Sequence, residues 1–297
     1  MMHNYQNHPL AGASDLDSAM TKLWDFYKHY FVGMYIISFM LALLSAVFSA
    51  SLDLAAIQTT TDPEEMMKMM KDMIVPYSVI VVVSLIFGVL IHTWILERPM
   101  GRENVIATTL KKSLQAFIPY LIVVIVMGIA GSIVTAIGLV LLVIPGLFAV
   151  FYVLTVAIFA LPVTLVESRN ASTVISRSFS LAHRNLWPNM GWVIVVLLII
   201  IIISLVLSSL IMLPFTGSLL RSLTDPAEAG ALLEMVKNPV YIVISSLTTA
   251  LITPVLPILA FILYFRNNIG QPATEVTEED DNRVRVEDLY PKMPDKE

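Results

Sequence analysis

Apolar residues in this chain gather into six long blocks, at about 30–52, 76–96, 117–138, 145–166, 190–213 and 239–265. Each block is close to the ~20 apolar residues that cross bilayer hydrocarbon as a helix. The fifth is the most apolar. Its core "VIVVLLIIIIISLVLSSLIML" holds 17 Val, Leu or Ile residues, enough to favour insertion by roughly 5 kcal/mol. The third and fourth blocks share one run, residues 117–166, with no Asp, Glu, Lys, Arg or His. That run is too long for one span and sufficient for two. Ile144-Pro145-Gly146 marks the break, with the turn starting at Gly138 or at Pro145.

Three polar stretches keep a helical period. "SDLDSAMTKLWDFYKHY" opens with a capping-box pattern, Ser14 and Asp17, and repeats Leu16, Met20, Leu23, Tyr27 and Tyr30 on one face. The second stretch aligns Ile106, Leu110, Leu114 and Phe117. The third aligns Ile175, Phe179, Ala182 and Leu186. All three are basic, as interfacial helices are. Trp24, Trp94 and Trp187 fall near the same boundary. The expected fold is all-α: a polytopic membrane protein of six transmembrane helices, with three cytosolic interfacial amphipathic helices and two short outer-loop helices. Residues 1–29 form the N-terminal cytosolic segment, 30–270 the membrane domain and 271–297 a disordered acidic tail.

Lys and Arg set the orientation. With the N-terminus inside, 14 of the 18 lie on the cytosolic side. The outer loops hold only Lys68, Lys71, Arg221 and Lys237. The positive-inside rule therefore places both termini in the cytosol. Composition agrees with a membrane class: 57% of residues are hydrophobic and 14% charged, against about 45–50% and 25% in soluble domains. The net charge of −5 is local, since nine of the 23 acids lie in the last 23 residues. With no cysteine, disulfides and thiolate sites are excluded. The polar, acid-bearing first 29 residues are not a signal peptide.

The first outer loop, "TDPEEMMKMMKDMIVPY", packs Met66, Met67, Met69, Met70 and Met73 into eight residues. Thioethers suit Cu(I). The other loop, "TDPAEAGALLEMVKNPVY", follows the same pattern at an offset of 163 and puts Leu232, Leu233 and Val236 where the first has Met69, Met70 and Met73. An apolar helix face therefore explains the methionines. The Asp-Pro start reads as a capped short helix in each loop.

The spans offer one ionisable side chain, His92 near a helix end, which reads as an interfacial residue. No metal, cofactor or nucleotide motif is present, and no catalytic activity is expected. Small residues recur instead: Ser38, Ala42, Ala46 and Ala50 in span 1; Gly128, Ser132 and Ala136 in span 3; Ser245, Thr249 and Thr253 in span 6 before Pro254 and Pro257. These are packing seams or, alternatively, a polar path along spans 1 and 6 opened by the prolines.

Leu139 to Trp187 carries Ile144-Pro145-Gly146, Pro162, Glu167 at the membrane exit, and Arg177-Ser178 followed by Leu181 and Trp187. In these elements it resembles a multi-span membrane domain found alone in uncharacterised bacterial membrane proteins and fused to some glycerophosphodiester phosphodiesterases. The resemblance implies a fold and a membrane location, not an activity, because nothing like the soluble catalytic domain is present.

The expectation is a non-catalytic protein of a bacterial inner membrane that organises or adapts the membrane or a partner. Arg98, Arg102, Lys111, Lys112, Arg169, Arg177 and Arg184 would contact anionic lipid or a protein at the cytosolic face, with no nucleic acid. Glu167 and Arg177 would meet as an interfacial ion pair. The rival is a small transporter or lipid flippase using the Ser/Thr faces.

Overall fold

The computed structural model describes residues 5, 7–50, 62–101, 104–213 and 237–268. Among them the regular elements are all helical: α1 Leu16–His29, α2 Phe31–Ala50, α3 Pro63–Glu97, α4 Val105–Leu141, α5 Val143–Val166, α6 Ala171–Arg184, α7 Leu186–Met212, α8 Pro239–Ile252 and α9 Val255–Asn268. Six helices, with α8 and α9 together counting as one, are long and apolar enough to cross a membrane. The second outer-loop stretch up to residue 236, Arg102 and the acidic tail lie outside the described residues.

Two expected separate helices are continuous with spans. α3 runs through Pro76 into the second span, and α4 runs from Val105 through Pro119 to Leu141. At 37 residues, α4 is roughly 55 Å long, well beyond ~30 Å of hydrocarbon. The sequence changes polarity at these joins but supplies no Gly or Asn to stop the helix, and the Lys-, Glu- and Met-rich extension of α3 and the Leu-Lys-Lys-Ser-Leu-Gln-Ala run of α4 are good helix formers. Asp62 caps α3, accepting from the Glu64 N–H at 3.0 Å with Pro63 in the first turn. The α1 cap is also displaced from the expected Ser14–Asp17. Asp15 accepts from the Ser18 N–H at 2.8 Å, and the Asp15 N–H donates to Ser18 Oγ at 3.2 Å.

The turn between spans 3 and 4 begins at neither expected residue. One extended residue, Leu142, separates α4 from α5. Gly138 and Gly146 let the two helices cross closely: a β-carbon on Gly146 would stand 3.0 Å from the Leu139 Cα, and one on Gly138 would stand 3.1 Å from the Gly146 Cα. The seam of span 3 is accordingly Gly131 and Gly138, which are buried. Gly128, Ser132 and Ala136 face outward.

Burial is concentrated at one end. From Ile258 to Tyr264, α9 is completely enclosed by α1, α3, α5, α6 and α7. The other end leaves Ile74, Val75, Val140, Ile144, Ile202 and Leu205 exposed. α1 and α6 pack onto the enclosed end rather than lying apolar face outward. α1 buries Ala19, Leu23 and Phe26; α6 buries Val174, Ser178, Leu181 and Ala182 while Phe179 stays exposed. Along the first turns of α4, Val105, Thr109, Ser113 and Ala116 are buried, and the expected membrane face Ile106, Leu110 and Leu114 is exposed.

Candidate functional site: the charged end of the bundle

Two spans end in an acid, and each acid is met by a cation from the next polar segment and by a tyrosine. Glu97, the last residue of α3, is fully buried. Lys112 Nζ donates to its Oε1 at 2.5 Å and the Tyr5 hydroxyl donates to the same oxygen at 2.8 Å. Lys112 Nζ also reaches the Tyr5 oxygen at 3.2 Å. Lys112 was expected to contact lipid or a partner protein. It lies instead fifteen residues from Glu97 on the helix that turns back along α3, where a buried carboxylate needs a counter-charge. Glu167, just past α5, accepts from Arg177 Nε at 2.8 Å and from the Tyr264 hydroxyl at 2.9 Å. Arg177 Nη2 donates to Asn268 Oδ1 at 2.8 Å, and Asn268 Nδ2 donates to the Tyr264 oxygen at 3.0 Å. The structure thus brings Glu167 and Arg177 together within a closed ring of four side chains. Arg177 is held inward by this ring and is not free to face lipid.

A third set joins α6, α7 and α9. Asn267 Nδ2 donates to Asn189 Oδ1 at 2.9 Å, and both residues are buried. Asn189 Nδ2 in turn donates to the Leu181 and Ala182 carbonyls at 3.3 and 3.2 Å. Arg184 Nη1 donates to the Asn267 carbonyl at 2.7 Å. These are carbonyls that helix ends leave without intrahelical donors.

The segment before α1 is part of the same cap. His8 is buried between Phe26 and Phe265, with ring centroids 6.0 and 5.1 Å away. The Leu10 N–H donates to its Nδ1 at 3.3 Å, so Nε2 carries the proton and donates to the Ile95 carbonyl at 3.2 Å. Burial lowers the His8 pKa to about 4, against smaller opposing effects of the Ile95 carbonyl and Glu97.

The remaining expected contacts stay at the surface. Lys111 is exposed, and Arg98 is exposed with its guanidinium 5.8 Å from the Trp94 ring. Arg169 is exposed and donates to Gln115 at 2.9 Å; Arg184 is exposed apart from its bond to the Asn267 carbonyl. Trp24, under the Lys28 ammonium, and Trp187 are also exposed, while Trp94 lies against Gly33. His92 hydrogen-bonds its own helix through the Gly88 carbonyl at 2.8 Å and rests on Phe261. Among the described residues no three His, Asp or Glu side chains converge as metal ligands.

Tyr5, His8, Glu97, Asn189, Tyr264, Asn267 and Asn268 were not singled out from sequence. For Glu97 the signal was there: like Glu167, it closes an apolar block and is followed by a basic helical stretch.

Away from the charged end, two clefts open between spans. One, of about 350 Å³, lies among α2, α3 and α8. The other, of about 540 Å³, lies between α7 and α8.

Compared with known proteins, the chain matches no family model, and no curated protein or solved structure matches it.

Proposed function

We propose that the chain is a multi-pass protein of a bacterial cytoplasmic membrane, with both termini in the cytosol and no catalytic activity of its own. It organises or adapts the membrane or a partner protein through its charged end. One observation carries this reading. The two acids that close spans, Glu97 and Glu167, are taken up internally by Lys112, Arg177 and the tyrosines, while Arg98, Lys111, Arg169 and Arg184 stay on the outside and outnumber the exposed α1 acids Asp15, Asp17 and Asp25, of which Asp25 pairs with Lys28. Trp24, Trp187, Leu110 and Leu114 are exposed as well. A basic rim interleaved with aromatic and aliphatic side chains suits an anionic leaflet, where each cation near the surface contributes about 1 kcal/mol. The bacterial membrane location rests on the Lys/Arg asymmetry and on the family resemblance.

Thermal unfolding in nanodiscs tests this. The protein is expected to melt higher with phosphatidylglycerol than with phosphatidylcholine alone. High salt, or joint replacement of Arg98, Lys111 and Arg169 by Gln, is expected to remove the difference. Equal melting in both lipids rejects the lipid-organising role.

A second reading, transport or lipid flipping, is favoured by the two clefts: Ser and Thr of spans 1, 2 and 6 line the smaller, and Ser and Thr of spans 5 and 6 line the larger. Scrambling of fluorescent lipid in proteoliposomes above protein-free controls supports it; its absence removes it.

A further inference from the structure

The two clefts share a wall: Ser245, Thr249 and Thr253 of span 6 line both. Among the described residues neither is lined by an ionisable acid or base apart from the Tyr241 phenol. An ionic group entering would lose its hydration and meet no opposite charge, which is strongly unfavourable. Their volumes fall within the range that holds small ligands, about 300–1,000 Å³.

The polarity of the wall is one-sided. The Ser245 and Ser246 hydroxyls donate to the Ile242 carbonyl at 3.1 and 2.6 Å. Thr248 donates to Ile244 at 2.9 Å and Thr253 to Thr249 at 2.9 Å. With their protons committed to the helix, these oxygens offer lone pairs. The span also breaks at Thr253 and Pro254. Pro254 and Pro257 have no N–H, so the Ala250 and Thr253 carbonyls lack the donors that a continuous helix supplies. On span 6 the wall mainly accepts hydrogen bonds, while the Thr249 hydroxyl and the facing Ser45, Ser49, Ser84, Ser204 and Ser208 hydroxyls can both give and accept, as a sugar's hydroxyls require.

A separate observation lies on the facing helix. Ser38 is fully buried, and its hydroxyl has no hydrogen-bond partner among the described residues. It stands one turn before Ala42, on the α2 face that continues through Ala42 and Ser45 into the smaller cleft. Buried hydroxyls without partners are rare.

We infer that the clefts bind the uncharged, hydroxyl-rich headgroup of a membrane lipid, a glycosyl diacylglycerol in chemical class. Its hydroxyl protons meet the acceptors on span 6. Its acyl chains run along the exposed Leu205 of α7 and Val243 and Leu247 of α8. This deepens the transport reading and shares its site.

Photolabelling tests it. Protein in phosphatidylcholine nanodiscs is given a diazirine-bearing monoglucosyl diacylglycerol, irradiated, and mapped by peptide mass spectrometry. Adducts are expected on α7 and α8. Unlabelled glucosyl lipid is expected to compete about ten-fold better than phosphatidylglycerol, whose glycerol carries hydroxyls but whose phosphate is charged. Ser245→Ala with Thr249→Val is expected to cut labelling about five-fold at an unchanged melting temperature. Equal competition by the two lipids overturns the inference, and that arm needs only the wild-type chain. So does undiminished labelling of a folded double variant. Stabilisation by NaCl over choline chloride without labelling assigns a cation to these oxygens and likewise overturns it. Labelling without scrambling removes transport and keeps the binding site. Scrambling without a glycosyl preference does the reverse.

Discussion

Arg177 and Glu167 are joined at 2.8 Å across a ten-residue reversal of the chain, and Tyr264 and Asn268 close the ring from another span. The pair therefore ties α5, α6 and α9 together. Its side chains are largely shielded, at 23% and 12% exposure, so its coupling is expected to exceed the ~0–1 kcal/mol of an open surface pair. A double-mutant cycle with Glu167→Gln and Arg177→Gln, read by unfolding in detergent, is expected to give about 1–3 kcal/mol. Additive single effects would remove the pair as a structural tie.

Lys112→Met is expected to cost about 3 kcal/mol, because it strands the Glu97 carboxylate without a cation in a dry site. Adding Glu97→Gln is expected to recover much of that loss. The neighbouring exposed Lys111→Gln should stay within about 0.5 kcal/mol of wild type. A Lys112→Met protein as stable as the Lys111 variant contradicts the buried pair.

Acid is expected to loosen the segment around His8. Its pKa is lowered from 6.5 to about 4 in the folded chain. Between those values the unfolded state binds more protons, so stability falls as pH drops from about 6.5 towards 4, on the order of 3 kcal/mol in all. Hydrogen exchange of residues 7–13 should accelerate over that window. His8→Phe is expected to flatten the profile. A wild-type profile with no slope there places the imidazole in water instead.

The α4–α5 crossing predicts a contrast between two glycines. Gly146→Val is expected to destabilise by about 1–3 kcal/mol, since the added carbons meet the Leu139 side chain and backbone. At Gly128 an added β-carbon meets nothing within 4 Å. Gly128→Ala is therefore expected to be neutral or slightly stabilising. Equal losses at both sites would show that the crossing is wider than described.

Topology is open to thiol labelling because the chain has no cysteine of its own. A single cysteine at Lys68 is expected to react with an impermeant maleimide in intact spheroplasts, and one at Ser172 only after permeabilisation. The opposite pattern inverts the orientation.

The six apolar blocks were legible because hydrocarbon thickness imposes length and composition on each. Helix ends were not. Polarity changes at Met73–Val75 and at Phe117, but helix propensity does not, and α3 and α4 run on. The faces of α1 and α6 were read as lipid-facing because an amphipathic pattern states only that one side is apolar. Whether Leu23 or Val174 meets lipid or α9 is decided by the rest of the bundle. Residues 5–13 have no period at all, so the burial of Tyr5, His8 and Leu10 left no trace in the pattern. The meeting of Glu167 with Arg177 could be anticipated from a short reversal. Tyr264 and Asn268 come from about a hundred residues away, and nothing local points to them.

α3 carries Met66 near its start and Glu97 at its end without interruption. These residues are roughly 45 Å apart along one helix axis. A tilt imposed on the Met-bearing extension is therefore delivered to the Glu97–Lys112–Tyr5 contact as leverage, with no loop to absorb it. Pro76 is the one joint along that rod where the helix ladder lacks a rung. Whatever grips one end of this helix acts mechanically on the latch at the other.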